Sequence, residues 1–407
     1  MILTSPSRGS INHAPHGGVV FKQTHEIYMK HLLMLLAMTI SFNSASQSVG
    51  NGVMPNYKHV SKLMEELTPS DGPGIQYIIV DKDSVIFQCS SGLSDIQNRT
   101  PLRMNHTMAA FSMTKTITAI AILQLVERGI INLDDKVNRY IEHPYNPDIT
   151  IRHLLNHTSG IPNPIPLKWV HLANNDDKFN EGAALAHVLR ENPKSNNVPG
   201  ENYAYSNIGY WLLGKVIEAV TEQQYQAYVK QNIFKPLKLG PAEIDFKIND
   251  PSHHAKGYLA KYSFMNFFKS FVTNSEVWGE YEGSWLHIEN VYLNGPSFGG
   301  VIGSAKAFSR ILQDLLSDES ILIRENTKQL LYESEKTNSD KPIPMTLGWH
   351  VGDLNGLRYF YKEGGGAGFH SEMRIYPSVG FASVIMTNRT SFNSRKELSR
   401  IDVNFIM

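Results

Sequence analysis

Apolar positions first fall at helical spacing over Tyr57–Leu67, where Val60, Leu63, Met64 and Leu67 share one stripe, so the pattern predicts an amphipathic helix. Two apolar runs follow, residues 75–80 and 84–89, on either side of the polar turn Asp81-Lys82-Asp83, which reads as a hairpin. From residue 109 to 239 the pattern is mostly helical with long Pro- and Asn-rich connections. Strand-like alternation returns at residues 345–350, 357–361, 372–376 and 381–387, and a last helix is expected near 395–403. Strands near both ends around a helical middle predict one mixed sheet with a helical insertion, an α+β arrangement.

The longest apolar run lies upstream of these elements. Met29-Lys30-His31 precedes apolar residues 32–42, and Ser44-Ala45-Ser46 closes the segment with small residues. A basic start, a short apolar centre and small residues before a cut after Ser46 make residues 29–46 a secretory signal peptide. The run is shorter than the roughly 20 residues that span a bilayer, so no stable membrane span is expected in the mature form. Residues 1–28 show no periodicity and are read as an untranslated or disordered leader, with translation starting at Met29. The expected product is exported, to the periplasm or beyond, with one catalytic domain over residues 54–403.

Composition removes several function classes. Apolar residues make up 42% and charged residues 19%, ordinary globular values, and the 38 basic residues balance the 38 acidic ones. No net field draws a polyanion, so nucleic acid is not an expected partner. Cys89 is the sole cysteine, which excludes an intramolecular disulfide and a cysteine-rich metal site and reads as a small strand residue.

Three short segments carry candidate chemistry. Ser112-Met113-Thr114-Lys115 opens an apolar helical stretch, and residues three apart on a helix lie one turn from each other, so the Lys115 amine can reach the Ser112 hydroxyl. A desolvated lysine can take a serine proton, and a helix N-terminus adds partial positive charge where an oxyanion forms. Tyr205-Ser206-Asn207 precedes a second apolar helix, and on an extended loop its two polar side chains project to one side. Tyr205 could then relay protons, while Asn207 holds a substrate amide or orients Lys115. Lys362-Glu363-Gly364-Gly365-Gly366 follows a strand-like run, where glycines admit close approach by a ligand. The glycine run lacks the order and the following helix of a phosphate loop.

In that order, SxxK, YxN and KxG resemble the motifs of serine β-lactamases and penicillin-binding proteins, and the separations of 93 and 157 residues resemble the class C branch and its esterase and peptidase relatives. Thr150 to Pro162, Pro199-Gly200 and Ser297-Phe298-Gly299-Gly300 extend the resemblance. It implies an antiparallel sheet of five or more strands flanked by helices, a helical subdomain, and an active site in the cleft between them. It also implies an acyl-serine hydrolase without metal or cofactor, acting on a small-molecule or peptide substrate. Ser112 would be the nucleophile, and Lys115 and Tyr205 would share the acid and base work. The backbone N–H groups of Ser112 and Gly365 would form the oxyanion hole, and Asn207, Lys362, Glu363 and Gly364 would bind substrate. A protein of the same fold that binds peptidoglycan fragments without turnover, or deacylates slowly, is the alternative.

Glu363 departs from the family pattern, in which Thr or Ser often follows the lysine. Facing the cleft, it would repel a substrate carboxylate, partly neutralise Lys362 and favour neutral or cationic substrates; facing away, it would form an ordinary ion pair. His153 and His157 stand four apart, the spacing of helical zinc ligands, but have no companion at a recognisable distance. His253-His254 reads as a solvated loop. The aromatic-rich residues 261–285 read as core packing, or as a lid or wall of an acyl pocket.

Overall fold

The structure, a computed structural model, describes residues 57–406 except 167, 264, 265, 268 and 270–274; the expected leader and signal peptide lie outside these residues. In chain order the elements that place the site are α1 (Tyr57–Leu67), β1 (Ile75–Val80), β2 (Val85–Ser91), α2 (Thr114–Glu127), α3 (Ile151–Leu155) and α4 (Asn207–Thr221). They continue with β3 (Gly257–Ala260), β4 (Trp278–Glu282), β5 (Trp285–Ile288), α5 (Ala305–Leu316), β6 (His350–Leu354), β7 (Leu357–Gly366), β8 (Phe369–Tyr376), β9 (Phe381–Thr387) and α6 (Ser394–Ile406).

The main sheet runs β6-β7-β8-β9-β1-β2, and every pairing is antiparallel, so the mixed sheet expected from the pattern is corrected to a purely antiparallel one. All six residues of β1 are buried because helices cover both faces. Ile75, Tyr77 and Ile79 pack with α1 and α6 against Val60, Met64, Leu398 and Ile401, while Ile78 and Val80 join the larger core. Each such side chain contributes about 1.5–3 kcal/mol through its removal from water. Gln76, also buried, is fully engaged: its amide donates to Arg103 and His106 carbonyls and accepts from the Ala305 N–H.

Under α6 lies a buried ionic network. Arg374 Nε is 2.6 Å from Glu372 Oε1, and Asp402 accepts from Tyr77, Tyr376 and Ser383 hydroxyls at 2.7–3.0 Å. It ties β1, β8, β9 and α6 through side chains with no exposure.

Helix α2 runs through the main core. Residues 114–125 are all buried, as expected of a helix apolar on every side; the Thr116 and Thr118 hydroxyls donate to main-chain carbonyls, and the Thr114 hydroxyl accepts from the Val301 N–H. Gly129, at φ 66°, ends it in the left-handed conformation that glycine adopts without a Cβ clash.

Several expected boundaries shift. Residues 345–350 do not form a strand: Leu347 and Trp349 alternate because both enter the helical core across a turn at Gly348 (φ 94°), and β6 begins only at His350. Strand β7 extends past residue 361 through the glycines, because Gly364, Gly365 and Gly366 pair with Ser371, His370 and Phe369. Part of the aromatic-rich segment folds as a separate three-stranded sheet, β3-β5-β4. Among the described residues no helix is long and apolar enough to cross a membrane.

Candidate active site

Ser112 sits in the single 3₁₀ turn Phe111–Met113 that leads into α2. Phe111 holds φ 46°, a costly conformation for a bulky side chain, and the turn is pinned by Ala110 N–H to the Val301 carbonyl and Val301 N–H to Thr114 Oγ1. The backbone thereby presents Ser112 at the end of the helix, half-buried and facing β7.

Lys115 lies one turn further along, fully buried. Its ammonium donates to Ser112 Oγ at 3.0 Å, Asn207 Oδ1 at 2.7 Å and the Phe298 carbonyl at 2.7 Å, which uses all three donors. Burial, reinforced by the nearby positive charge of Lys362, holds its pKa well below that of an ordinary lysine. Among the described residues no carboxylate pairs with it.

Tyr205 approaches from the opposite side and donates to Ser112 Oγ at 2.8 Å. Desolvation raises its pKa, and the bond to Ser112 opposes that rise. Ser206 caps α4 by accepting from the Gly209 N–H, which makes Asn207 the first helical residue rather than part of an extended loop. The two side chains still converge, from a loop and a helix start: Asn207 accepts from the Lys115 amine, and Tyr205 donates to the Ser112 hydroxyl that the same amine reaches. Of the two sequence-level roles for Asn207, the contact seen is the one that orients Lys115.

From the sheet, Lys362 reaches the same centre. Its Nζ is buried, lacks a hydrogen-bonding partner, and lies 5.3 Å and 5.9 Å from the Tyr205 and Tyr210 ring centres. Burial lowers its pKa to about 7. Gly364 lets β7 touch the serine turn: a Cβ there would stand 2.1 Å from the Ala110 carbonyl oxygen and 2.9 Å from Ser112 N. Gly365, the next residue, borders the same space as Ser112.

Glu363 takes the second of its two expected orientations. Its carboxylate binds His370 Nε2 at 2.8 Å and lies 3.7 Å from Arg395, and it forms no ion pair with Lys362. Those contacts lower its pKa, the hydrogen bond to His370 most of all.

The histidine pairs resolve differently from their spacing. Helix α3 ends at Leu155, so His153 and His157 do not share a helix: His153 closes a capping box with Thr150, and His157 sits past the end at φ 60°. Its buried ring packs 4.3 Å from that of Tyr205, and its Nδ1 accepts the Ser206 N–H. Among the described residues no group of three or more His, Cys, Asp or Glu is arranged to hold a metal ion. His253 is exposed as expected, whereas His254 turns inward to Thr107 Oγ1 at 3.0 Å. Burial pushes the Cys89 thiol up to about 12, a value unsuited to a nucleophile.

Three contributors were not assigned from sequence. The Phe298 carbonyl sits in a segment already noted for its resemblance, but nothing marks one main-chain oxygen as a lysine partner. His157 is visible in the sequence, yet only the fold places it under Tyr205. The strain at Phe111 leaves no sequence signal.

Residues 59–403 match the family model described as Beta-lactamase. The chain is 27% identical over 324 residues to penicillin-binding protein 4* of Bacillus subtilis (strain 168), covering 78% of this chain and 68% of that protein. It is 31% identical over 210 residues to Protein flp of Staphylococcus aureus (strain N315), covering 49% of this chain and only 41% of that relative's length. In three dimensions it resembles the D-amino acid amidase of Ochrobactrum anthropi SV3, with a TM-score of 0.67 at 17% identity over 85% of this chain and 97% of that one.

Proposed function

The chain belongs to the beta-lactamase family, whose members are serine hydrolases, and from that premise we propose that it cleaves an ester, amide or lactam through an acyl-serine intermediate on Ser112. One observation carries the reading: Ser112 Oγ is the shared acceptor of Lys115 Nζ at 3.0 Å and Tyr205 Oη at 2.8 Å. Ser112 Oγ attacks the carbonyl carbon as its proton passes to the Lys115–Tyr205 pair, for which the depressed Lys115 pKa makes a neutral amine accessible. The backbone N–H groups of Ser112 and Gly365 receive the oxyanion, and Tyr205 delivers the proton to the leaving group. Water then enters by the reverse relay and releases the acid.

A preference for neutral or cationic substrates over carboxylates belongs to the same proposal, although with the Glu363 carboxylate turned to His370 and Arg395 it rests on the long-range charge of that side chain alone. Export through residues 29–46 belongs to the same proposal, with the processed chain starting at Gln47.

A fluorophosphonate probe tests the chemistry. Stoichiometric labelling that disappears in Ser112→Ala supports it, and undiminished labelling of that variant overturns it. N-terminal sequencing of the exported protein tests the cut: a chain that keeps Met29 refutes it.

A further inference from the structure

Beside Ser112 lies a cavity of about 290 Å³ whose walls come from at least eight separate stretches of chain. Its apolar lining includes Val170, Leu259, Trp278, Ile288, Val291 and Leu293, and no described residue lining it carries a charge. Ser112, Asn207 and Gly365 also line it, whereas Tyr205, Lys362 and Glu363 do not. That division sets direction. Under the acyl-serine reading, on which this inference rests, Tyr205 protonates the leaving group, so the leaving group occupies the Tyr205 side. The cavity on the other side of the Ser112 hydroxyl receives what stays bonded to the serine.

We infer that this cavity is an acyl-binding pocket for an uncharged apolar group of about eight carbons, such as a medium-length alkyl or phenylalkyl acyl chain. Its volume is about twice that of the ~150 Å³ apolar cavity known to hold one benzene ring, which sets the size. Its lining sets the chemistry, because a buried charge in such a wall has no partner to replace its water. The far wall is built by the small β3-β5-β4 sheet, where Leu259 and Ile288 pack as a separate apolar cluster with Trp278 against it. Of the two readings given to the aromatic-rich segment, this makes its Trp278 end the pocket wall.

The test is a series of p-nitrophenyl esters from acetate to dodecanoate. The value of kcat/KM should rise about fourfold per added methylene and stop rising near eight carbons. A six-carbon acyl chain ending in a carboxylate or an ammonium should be at least about 100-fold poorer than its methyl-ended counterpart. Val291→Phe, which narrows the cavity, should move the optimum to shorter chains. Equal efficiency for acetate and octanoate, or for charged and uncharged chain ends, overturns the inference. A second measurement separates it from the catalytic reading: calorimetry on Ser112→Ala should show octanamide binding at least about 100-fold more tightly than acetamide. Tight octanamide binding without Ser112 labelling would remove the nucleophile and keep the pocket, and labelling without chain-length dependence would do the reverse.

Discussion

Lys362 Nζ and the Tyr205 ring face each other at 5.3 Å, with no hydrogen-bonding partner on the amine. An ammonium in that position steadies negative charge as it develops on the phenol oxygen, and a neutral amine does not. Because burial sets the Lys362 pKa at about 7, its charge changes within the working pH range.

For a neutral ester, kcat/KM should therefore fall as pH rises through about 7, where Lys362 loses its proton. Lys362→Arg, which stays charged, should carry that alkaline limb beyond pH 8. The pH–rate profile decides: an unmoved limb in Lys362→Met assigns it to another group. Stability runs with the opposite sign. Between the folded pKa of about 7 and the ordinary lysine value of 10.5, the unfolded chain holds a proton that the native one lacks, so stability rises with pH across that window. Lys362→Met should thus be most stabilising below pH 7, with the advantage shrinking toward pH 10 in urea titrations.

Gly364→Ala should cost about 100-fold or more in kcat/KM, since the new Cβ meets the Ala110 carbonyl and the Ser112 backbone N, and an ångström of displacement is enough for such a loss. Gly182→Ala, in a helix with open space around it, should instead leave Tm equal or slightly higher. Activity of Gly364→Ala near wild type would show that β7 does not set the position of Ser112.

Glu363→Thr should move selectivity toward carboxylate-bearing substrates by about tenfold. The change removes a negative charge and releases Arg395, 55% exposed, to meet a substrate anion. Adding Arg395→Ala should cancel most of the gain. An unchanged ratio of kcat/KM for a matched anionic and neutral pair takes Glu363 out of specificity.

Arg374→Met should destabilise the fold by about 3–5 kcal/mol, because Glu372 and Asp402 would remain buried without their cation. Chemical denaturation measures this, and a loss under 1 kcal/mol would mean that the hydroxyls around Asp402 suffice. The loss should lessen at low pH, where the stranded carboxylates can take up protons.

The amphipathic helix Tyr57–Leu67 and the strands Ile75–Val80 and Phe381–Thr387 agree with the sequence reading to the residue, because each pairs a strong apolar period with polar punctuation. The 345–350 segment misleads for a physical reason: its alternating residues fill a helical core across a turn, and burial has no memory of backbone type. The convergence of Ser112, Lys115, Tyr205, Asn207 and Lys362 was legible because their three motifs, in that order, resemble those of the family. The direction of Glu363 was not, since strand alternation allows either face until register with β8 and the position of α6 are known. The apolar pocket was least legible, because its walls are joined only by tertiary folding.

Strand β1 sits between β2 and β9, and Gly74 at its edge bonds to Asn388, 314 residues later. At ~5–20 residues per second of synthesis, Ile75–Val80 waits about 15 to 60 seconds for the partner that completes its ladder. Throughout that interval the nascent chain holds a strand with five apolar residues and one side unpaired, and the serine turn has no β7 to rest against. A closed sheet, and with it the contact of β7 with the serine turn, therefore arises only after residues 381–387 have left the ribosome. Until then the unpaired edge of the strand is open to aggregation, so the yield in a cell depends on what covers that edge during the interval.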